Sequence, residues 1–405
     1  MTDYGLVLNA GSSSLKFCVY QRPEASTWKL EAQGKVDGLG SAPRLSAKDE
    51  AGNSLVEQAL PSWVEEGKHA LEVLAAWLRD EYLGAAVLGV GHRVVHGGAR
   101  YDKPCIVTPQ VLSDLRALVP LAPLHQPHNI AAIEAATARF PTVPQVACFD
   151  TGFHRGQSEV AQLVPLPQVI RDSGLQRYGF HGLSYEYIAS ILPEVAPEVA
   201  EGRVIVAHLG SGASLCAMKG RKSVDCTLGF TALDGLCMGT RPGSVDPGVI
   251  LHLFQTLGLT AAEVETILYK RSGLLGISGI SSDMRILETS SDPRARLAID
   301  YFVYQAAKHV GALAAVLGGV DALVFTAGIG EHSAAIRRRI CAASAWLGVT
   351  LDEAANEGHG PRISAADSRV SVWVIPTNEE LMIARHTGPL LGIADVAPAG
   401  ALTGA

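Results

Sequence analysis

The sequence predicts an α/β protein built from two similar domains, and three observations carry that expectation. Short apolar runs ending in small or polar residues recur along the chain: YGLVLNAG, VLGVGHRVVHGG, VPQVACFDTG, RVIVAHLGSGASLCAMKG, DALVFTAGIGEHS and SVWVIPTNEE. Between them lie helix-period stretches such as SWVEEGKHALEVLAAWLRDEYL and LAIDYFVYQAAKHVGALAAVLGG, and strands mixed with helices of that length belong to the α/β class. Finally, LNAGSSSLKFCVY and AHLGSGASLCAMK both read strand, small-residue turn, strand, with Gly11 aligned on Gly210. That spacing is far too long for a solenoid repeat. It reads either as a chance match of two Ser/Gly turns or as two domains that each offer a β-turn to one nucleotide. At 405 residues the chain exceeds one typical core, which favours two domains.

Other segments are placed by elimination. Residues 37–67 mix Gly, Ala, Ser and charge and are read as a variable excursion, and the tail DVAPAGALTGA has no periodicity and is read as frayed. The most apolar region, Gly311 to Gly328, contains Gly318, Gly319 and Asp321; it predicts a buried helix followed by a strand, not a membrane span.

A net charge of −7 argues against a nucleic-acid partner. The one dense basic run, Arg337, Arg338 and Arg339, is read as a solvated helix face. Seven dispersed cysteines with no C-x-x-C pair suggest reduced thiols, not a disulfide or zinc framework. No signal peptide is visible, and cytoplasm is the expected compartment.

Several segments carry chemistry. In LNAGSSSLKF, Gly11, Ser12, Ser13 and Ser14 offer amides and hydroxyls to phosphate, with Lys16 close by, but no helix follows as a P-loop requires. Asn9 is placed to add an oxygen near a metal. The second turn, His208, Leu209, Gly210, Ser211 and Gly212, has the same character. In VFTAGIGEHS an apolar strand runs into Gly328, Ile329 and Gly330 with a helix beginning near Glu331, which suits an anion or a nucleotide edge. The third glycine of a dinucleotide fingerprint is missing, so NAD is not supported.

Arg93 at a strand end and Arg241 on a Gly/Pro loop each suit capture of a carboxylate or phosphate, or else a structural ion pair. Asp150 ends a buried strand, as a functional carboxylate or a turn cap. His181 sits between aromatic and glycine neighbours, one histidine among several. In PTNEELMIA, Thr377 with Glu380 reads as a capping box, leaving Glu379 as the better metal candidate beside a di- or triphosphate.

Taken in order, LNAGSSSLKF, GHRVVHGG, PLHQPHN, FDTGFH, RYGFHG, HLGSGAS, GFTALDGLCMGTRPGSVDPG and FTAGIGEHS resemble the acetokinase family, from about Tyr4 to Arg385. The resemblance implies the sugar kinase/Hsp70/actin type of α/β fold, with two similar domains around an interdomain nucleotide cleft. The first would be 1–152, completed by a C-terminal helix at about 380–397, and the second 153–379, with the nucleotide site and the dimer interface. It implies reversible, Mg²⁺-dependent transfer of the ATP γ-phosphoryl group to a short-chain carboxylate by a homodimer, with Mn²⁺ as an alternative metal. Carried over by motif are Asn9 and Glu379 for the metal, and Lys16, Ser12 and Ser14 near the phosphates. Arg93 and Arg241 would bind carboxylate and phosphoryl, and Asp150 and His181 would complete the catalytic set. Residues 208–212, Asp283, Met284, Arg285, Gly328, Ile329, Gly330, Glu331 and His332 would surround the nucleotide. Val95, Leu124, Phe180 and Ala232 would wall the acyl pocket.

The chain departs from the family pattern at Ser211 for Asn, at Leu183, Ser184 and Tyr185 for Thr-Ser-His, at Ala232 for proline, and at His332 for Asn. Alanine at 232 leaves room for an extra methylene, which brings propionate kinase forward as the alternative. An ATP-gated module of the chaperone or filament kind is the reading from another class; it would need a peptide-binding or polymerising segment.

Overall fold

The computed structural model describes residues 3–11, 13–22 and 28–393. Ser12, the tail DVAPAGALTGA and the end of the helix expected at 380–397 therefore lie outside the described residues. The chain divides into two compact units, Met1–Gly152 with Asn378–Ala405, and Phe153–Thr377.

The first unit holds β1 (Tyr4–Ala10), β2 (Ser14–Gln21), β3 (Lys29–Asp37), β4 (Arg44–Lys48), β5 (Ser54–Ala59), β6 (Val87–Val94), β7 (Cys105–Ile106) and β8 (Gln145–Phe149). They form one sheet in the order β5-β4-β3-β2-β1-β6-β8-β7. Helix Gly67–Glu81 makes the crossover from the hairpins to β6, and helix Gln126–Arg139 the crossover to β8, as parallel neighbours require. Leu6, Leu8, Leu15, Phe17, Val36, Leu74 and Val90 fill a common core. The segment 37–67 is not a loose excursion, because β4 and β5 extend the sheet as an edge hairpin. Only Leu45 and Ala47 of β4 alternate inward and β5 is largely exposed, so the apolar signal was too thin to mark a strand pair.

The second unit holds β9 (Arg203–Leu209), β10 (Ala213–Lys219), β11 (Lys222–Cys226), β12 (Ala322–Thr326) and β13 (Ser371–Val374), in the order β11-β10-β9-β12-β13. Strands β9 and β12 are buried almost throughout, as expected of central parallel strands covered on both faces. The apolar stretch near Gly311 is the end of helix Pro293–Leu317, capped by left-handed Gly318 before β12. Among the described residues no helix is long and apolar enough to cross a membrane.

The two sheets share a core of one topology. In β3-β2-β1-β6-β8 the successive pairings are antiparallel, antiparallel, parallel and parallel. The same series holds in β11-β10-β9-β12-β13. The echo between Gly11 and Gly210 therefore marks equivalent hairpins, each following the first strand of its sheet.

The basic run departs from the solvated face expected of it. Arg338 pairs with Glu353 and Glu357 and Arg339 with Asp300, but Arg337 is wholly buried. Its guanidinium donates to the carbonyls of Gly330 (2.9 Å), Glu331 (2.8 Å) and Asn356 (2.6 Å), to Asn356 Oδ1 (2.8 Å) and to His359 Nδ1 (3.0 Å). Burial lowers its pKa, and the ring of acceptors compensates the charge. A run of three like residues on a helix must point in three directions, so composition alone missed this one.

Candidate active site

In the first unit, parallel pairing of β6 with β8 sets Arg93 opposite Cys148 and brings the start of the next loop, Asp150, beside it. The Asp150 amide donates to Val94 O at 3.0 Å, which turns its carboxylate back onto the strand ends. Arg93 Nη2 donates to Asp150 Oδ2 at 2.7 Å, and its Nε lies 3.1 Å from both carboxylate oxygens. Glu379 Oε2 lies 3.7 Å from the same Nε. Burial opposes the charge on Arg93, and Asp150 and Glu379 more than offset it, so its pKa stays raised. Asp150 is 1% exposed and both its oxygens are committed to the arginine.

The motif PLHQPHN, which the sequence offered without a role, braces this site. Asn129 Oδ1 accepts from the Val95 amide (3.0 Å) and its Nδ2 donates to Ala10 O (3.2 Å), tying the ends of β6 and β1. Gln126 clamps His96 through its amide and its carbonyl. Val95 thus follows Arg93 in a fixed loop, and Leu124 precedes the helix that carries the clamps. Asn9 and Lys16 are cross-strand partners at the turn end of the β1–β2 hairpin, where Gly11 N donates to Ser14 O at 2.8 Å.

Glu379 begins helix Glu379–Leu390, whose N-cap is Asn378, accepting from Leu381 N at 2.9 Å. The capping box read at Thr377 and Glu380 is not formed. Asn378 is an equally good cap one residue later, and it takes the position.

In the second unit the turn after β9 is closed by Gly210 N donating to Gly212 O at 3.0 Å. A Cβ on Gly212 would lie 2.6 Å from Arg241 Nη2 and 3.3 Å from His181 Nε2; only glycine lets these two nitrogens converge on the turn. Arg241 is held by Nη1 donating to Ala232 O at 2.6 Å. His181 has φ +58 at the start of helix Gly182–Val195, a costly conformation for a non-glycine residue.

The residues before His181 explain how that conformation is held. Gly179 (φ +74) leaves no room for a side chain against His154. His154 Nε2 donates to Phe180 O at 2.9 Å, and its Nδ1 pairs with Ser223 Oγ at 2.8 Å. Phe180 itself is buried at 2% exposure. His208 stacks on His181, ring centroids 4.1 Å apart, and pairs through Nδ1 with Ser184 Oγ at 2.8 Å.

Beside this turn lies a cavity of ≈ 390 Å³. Of the residues expected around a nucleotide, Gly210, Ser211, Asp283, Met284, Arg285, Gly328, Ile329 and His332 line it. Leu209 and Gly330 are buried in the strand and helix behind it. Glu331 is turned away, because its Oε1 accepts from the Ala327 amide at 2.8 Å and the Thr377 amide at 3.3 Å. Its helix begins earlier than expected, at Ala327. Ser282, Glu288 and Ser333 also line the cavity and were missed, since isolated Ser and Glu residues carry no distinctive sequence signal. Asp283 caps helix Met284–Thr289 and pairs with Arg285 (2.6 Å), which fixes this edge.

Among the described residues no cluster of three or more His, Cys, Asp or Glu side chains is arranged to hold a metal. Burial, with Glu380 adding to it, raises the Glu379 pKa against the pull of Arg93 and Lys16, so a cation there would be favoured. Magnesium commonly uses one or two protein oxygens and completes its shell with phosphate and water. Asn9 and Glu379 fit such a partial set.

Two sheets of one topology, each opening a glycine turn after its first strand, define the class of this chain as an actin-like kinase fold. A sequence model of the Acetokinase family matches residues 4–385. The chain is 54% identical over 390 residues to acetate kinase of Nitrobacter hamburgensis, covering 96% of each chain. It is also 54% identical over 391 residues to acetate kinase of Rhodopseudomonas palustris strain CGA009, covering 95% of this chain and 98% of that one. Among solved structures, Porphyromonas gingivalis acetate kinase superposes with TM-score 0.85 at 38% identity, covering 96% and 100%. A propionate kinase from Francisella tularensis superposes with TM-score 0.88 at 35% identity, covering 95% and 99%. The chain belongs to the acetokinase family, and it is a kinase.

Proposed function

We propose that this chain catalyses reversible, Mg²⁺-dependent transfer of the ATP γ-phosphoryl group to acetate, giving acetyl phosphate and ADP by direct in-line transfer. The observation that carries the reading is the continuity at the second turn. Gly210 and Ser211 line the cavity, and at the next residue Arg241 and His181 converge over Gly212. A nucleotide in that cavity would end its phosphate chain at those two donors.

Acetate has a carboxylate pKa of about 4 to 5 and is already ionised, so no general base is required. The obstacle is repulsion between two anions, and catalysis is largely positioning and charge stabilisation. Arg93 receives the carboxylate. Asp150, with both oxygens on Arg93, orients the arginine and is not the base. Arg241 and His181 donate to the transferring phosphoryl group. Asn9 and Glu379 would hold the metal, with Lys16 near the phosphates. Magnesium, when bound, supplies positive charge to the phosphate oxygens. Val95 and Leu124 in the first unit, and Phe180 and Ala232 in the second, are the residues that the family pattern assigns to the acyl methyl.

Ala232, where the family pattern has proline, favours propionate as a second reading. Dimerisation is supported by helix Pro247–Gln255, apolar in sequence yet with Val249, Leu251 and Phe254 exposed. A cytoplasmic location is supported by seven cysteines dispersed along the chain with no C-x-x-C pair. Purified protein with Mg-ATP, hydroxylamine and C1 to C4 carboxylates tests the reaction. Carboxylate-dependent hydroxamate is expected, with kcat/KM ranking the acids; activity with none of them overturns the reading.

A further inference from the structure

Ser214 lies on β10, two residues past Gly212, and is fully buried. Its hydroxyl is 2.8 Å from His181 Nδ1 and 2.5 Å from the Tyr185 hydroxyl. A buried hydroxyl proton needs an acceptor, and these two groups are the choices. A phenol, with pKa near 10, is the stronger acid of the two hydroxyls, so the short contact is best made with Tyr185 donating to Ser214. The serine proton is then left for His181 Nδ1, and the ring carries its own proton on Nε2.

We propose that Tyr185 and Ser214 form a hydroxyl relay that fixes His181 as the neutral Nε2–H tautomer, a hydrogen-bond donor aimed at the second turn. The relay fixes a direction as well as an orientation. Protonating Nδ1 would make the serine oxygen its acceptor and turn the serine proton toward the phenol oxygen, so that the Ser214–Tyr185 bond would have to reverse. The other groups facing the ring act the same way. The His208 ring stacks on it at 4.1 Å, and Arg241 Nη2 converges with Nε2 over Gly212, so a second positive charge there is disfavoured. A neutral histidine that polarises an oxygen by donation keeps its proton throughout the transfer. The carboxylate nucleophile has none to take, and nothing needs returning.

Tyr185 and Ser214 are therefore positioning residues, and their catalytic effect rests on the function proposed above. The test has two readouts. Long-range ¹H–¹⁵N correlation at the His181 imidazole, in the intact protein between pH 6 and 8, reports the tautomer without any substrate. The wild type is expected to show Nε2–H. Ser214→Ala, which removes the donor to Nδ1, is expected to let Nδ1–H or the doubly protonated form appear, whereas Tyr185→Phe leaves Nδ1 as the acceptor of the serine proton and keeps Nε2–H. Steady-state kinetics of Tyr185→Phe and Ser214→Ala should show kcat reduced by about tenfold, the scale of one lost hydrogen bond, with both KM values unchanged. Nδ1–H in the wild type, or an unchanged ring in Ser214→Ala, overturns the relay. An altered tautomer with unaltered kcat overturns its catalytic role. A wild type that shows Nε2–H but forms no acyl phosphate leaves the relay standing and overturns the function instead.

Discussion

After β1, the hairpin of the first unit leads to charge held by charge: Arg93 grips Asp150 with two nitrogens and stands 3.7 Å from Glu379. After β9, the equivalent hairpin of the second unit leads to an arginine held by a carbonyl, Ala232 O, and to histidines held by the hydroxyls of Ser214 and Ser184. The backbone topology is the same, and the difference lies in the side chains placed at the strand ends. A carboxylate substrate needs a strong, fixed positive charge, and the acidic partners hold Arg93 in place while sustaining its ionisation. Under the function proposed here, the phosphoryl group would meet directed donors, the His181 imidazole and the anchored Arg241 guanidinium.

The largest effects should come from removing either arginine. Arg93→Ala and Arg241→Ala are each expected to cost about 10²–10³ in kcat/KM, the scale for losing an oxyanion donor. Arg93→Ala should weaken carboxylate dependence more, and Arg241→Ala the chemical step. Steady-state kinetics in both substrates checks this, and identical profiles would erase the distinction between the units.

Next comes Arg337, which holds the carbonyls of Gly330 and Glu331, beside Ile329 and His332 of the cavity proposed for the nucleotide. Arg337→Met should lower stability by about 3 kcal/mol, the scale of leaving buried acceptors unsatisfied, and raise the KM for ATP while leaving that for carboxylate unchanged. Thermal melts with kinetics read both.

Acid should act on both units alike. Burial lowers the pKa of His92 in the first and His154 in the second to about 4. The unfolded value is near 6.5, so the unfolded chain binds more protons between the two. Stability from each is complete above about pH 6.5 and lost as pH falls through 4, by up to about 3 kcal/mol per residue. Denaturant melts from pH 7 to 4 should show the decline, and His154→Asn should flatten part of it.

The smallest change is expected at Ala232, the residue proposed to wall the acyl group. Ala232→Pro should move selectivity toward acetate over propionate by about 1–3 kcal/mol, the worth of one methylene, read from the ratio of kcat/KM values.

Much of this arrangement was legible in the sequence, for physical reasons. Arg93, Asp150, Gly210 and Gly328 sit where strands end, and small residues there announce close approach. The duplication was visible because both hairpins kept a glycine turn. Burial direction was less visible. Arg337 looks like a surface charge in sequence and Glu331 like a nucleotide contact, and only the folded chain turns the first inward and the second onto the Ala327 and Thr377 amides. Ser214 and Tyr185 read as ordinary core residues because their roles depend on a histidine brought close by folding. The cap at Asn378 escaped because Thr377 beside it is a comparable cap, and the hairpin of β4 and β5 because so few of its residues are apolar and inward.

The claim that an ionised carboxylate is itself the nucleophile is tested most directly with ¹⁸O-labelled acetate, Mg-ATP and the intact protein, followed by ³¹P NMR. Acetyl phosphate should appear with ¹⁸O bonded to phosphorus, seen as an isotope shift of its resonance. Release of inorganic phosphate alone, or acetyl phosphate with no label at phosphorus, would contradict it.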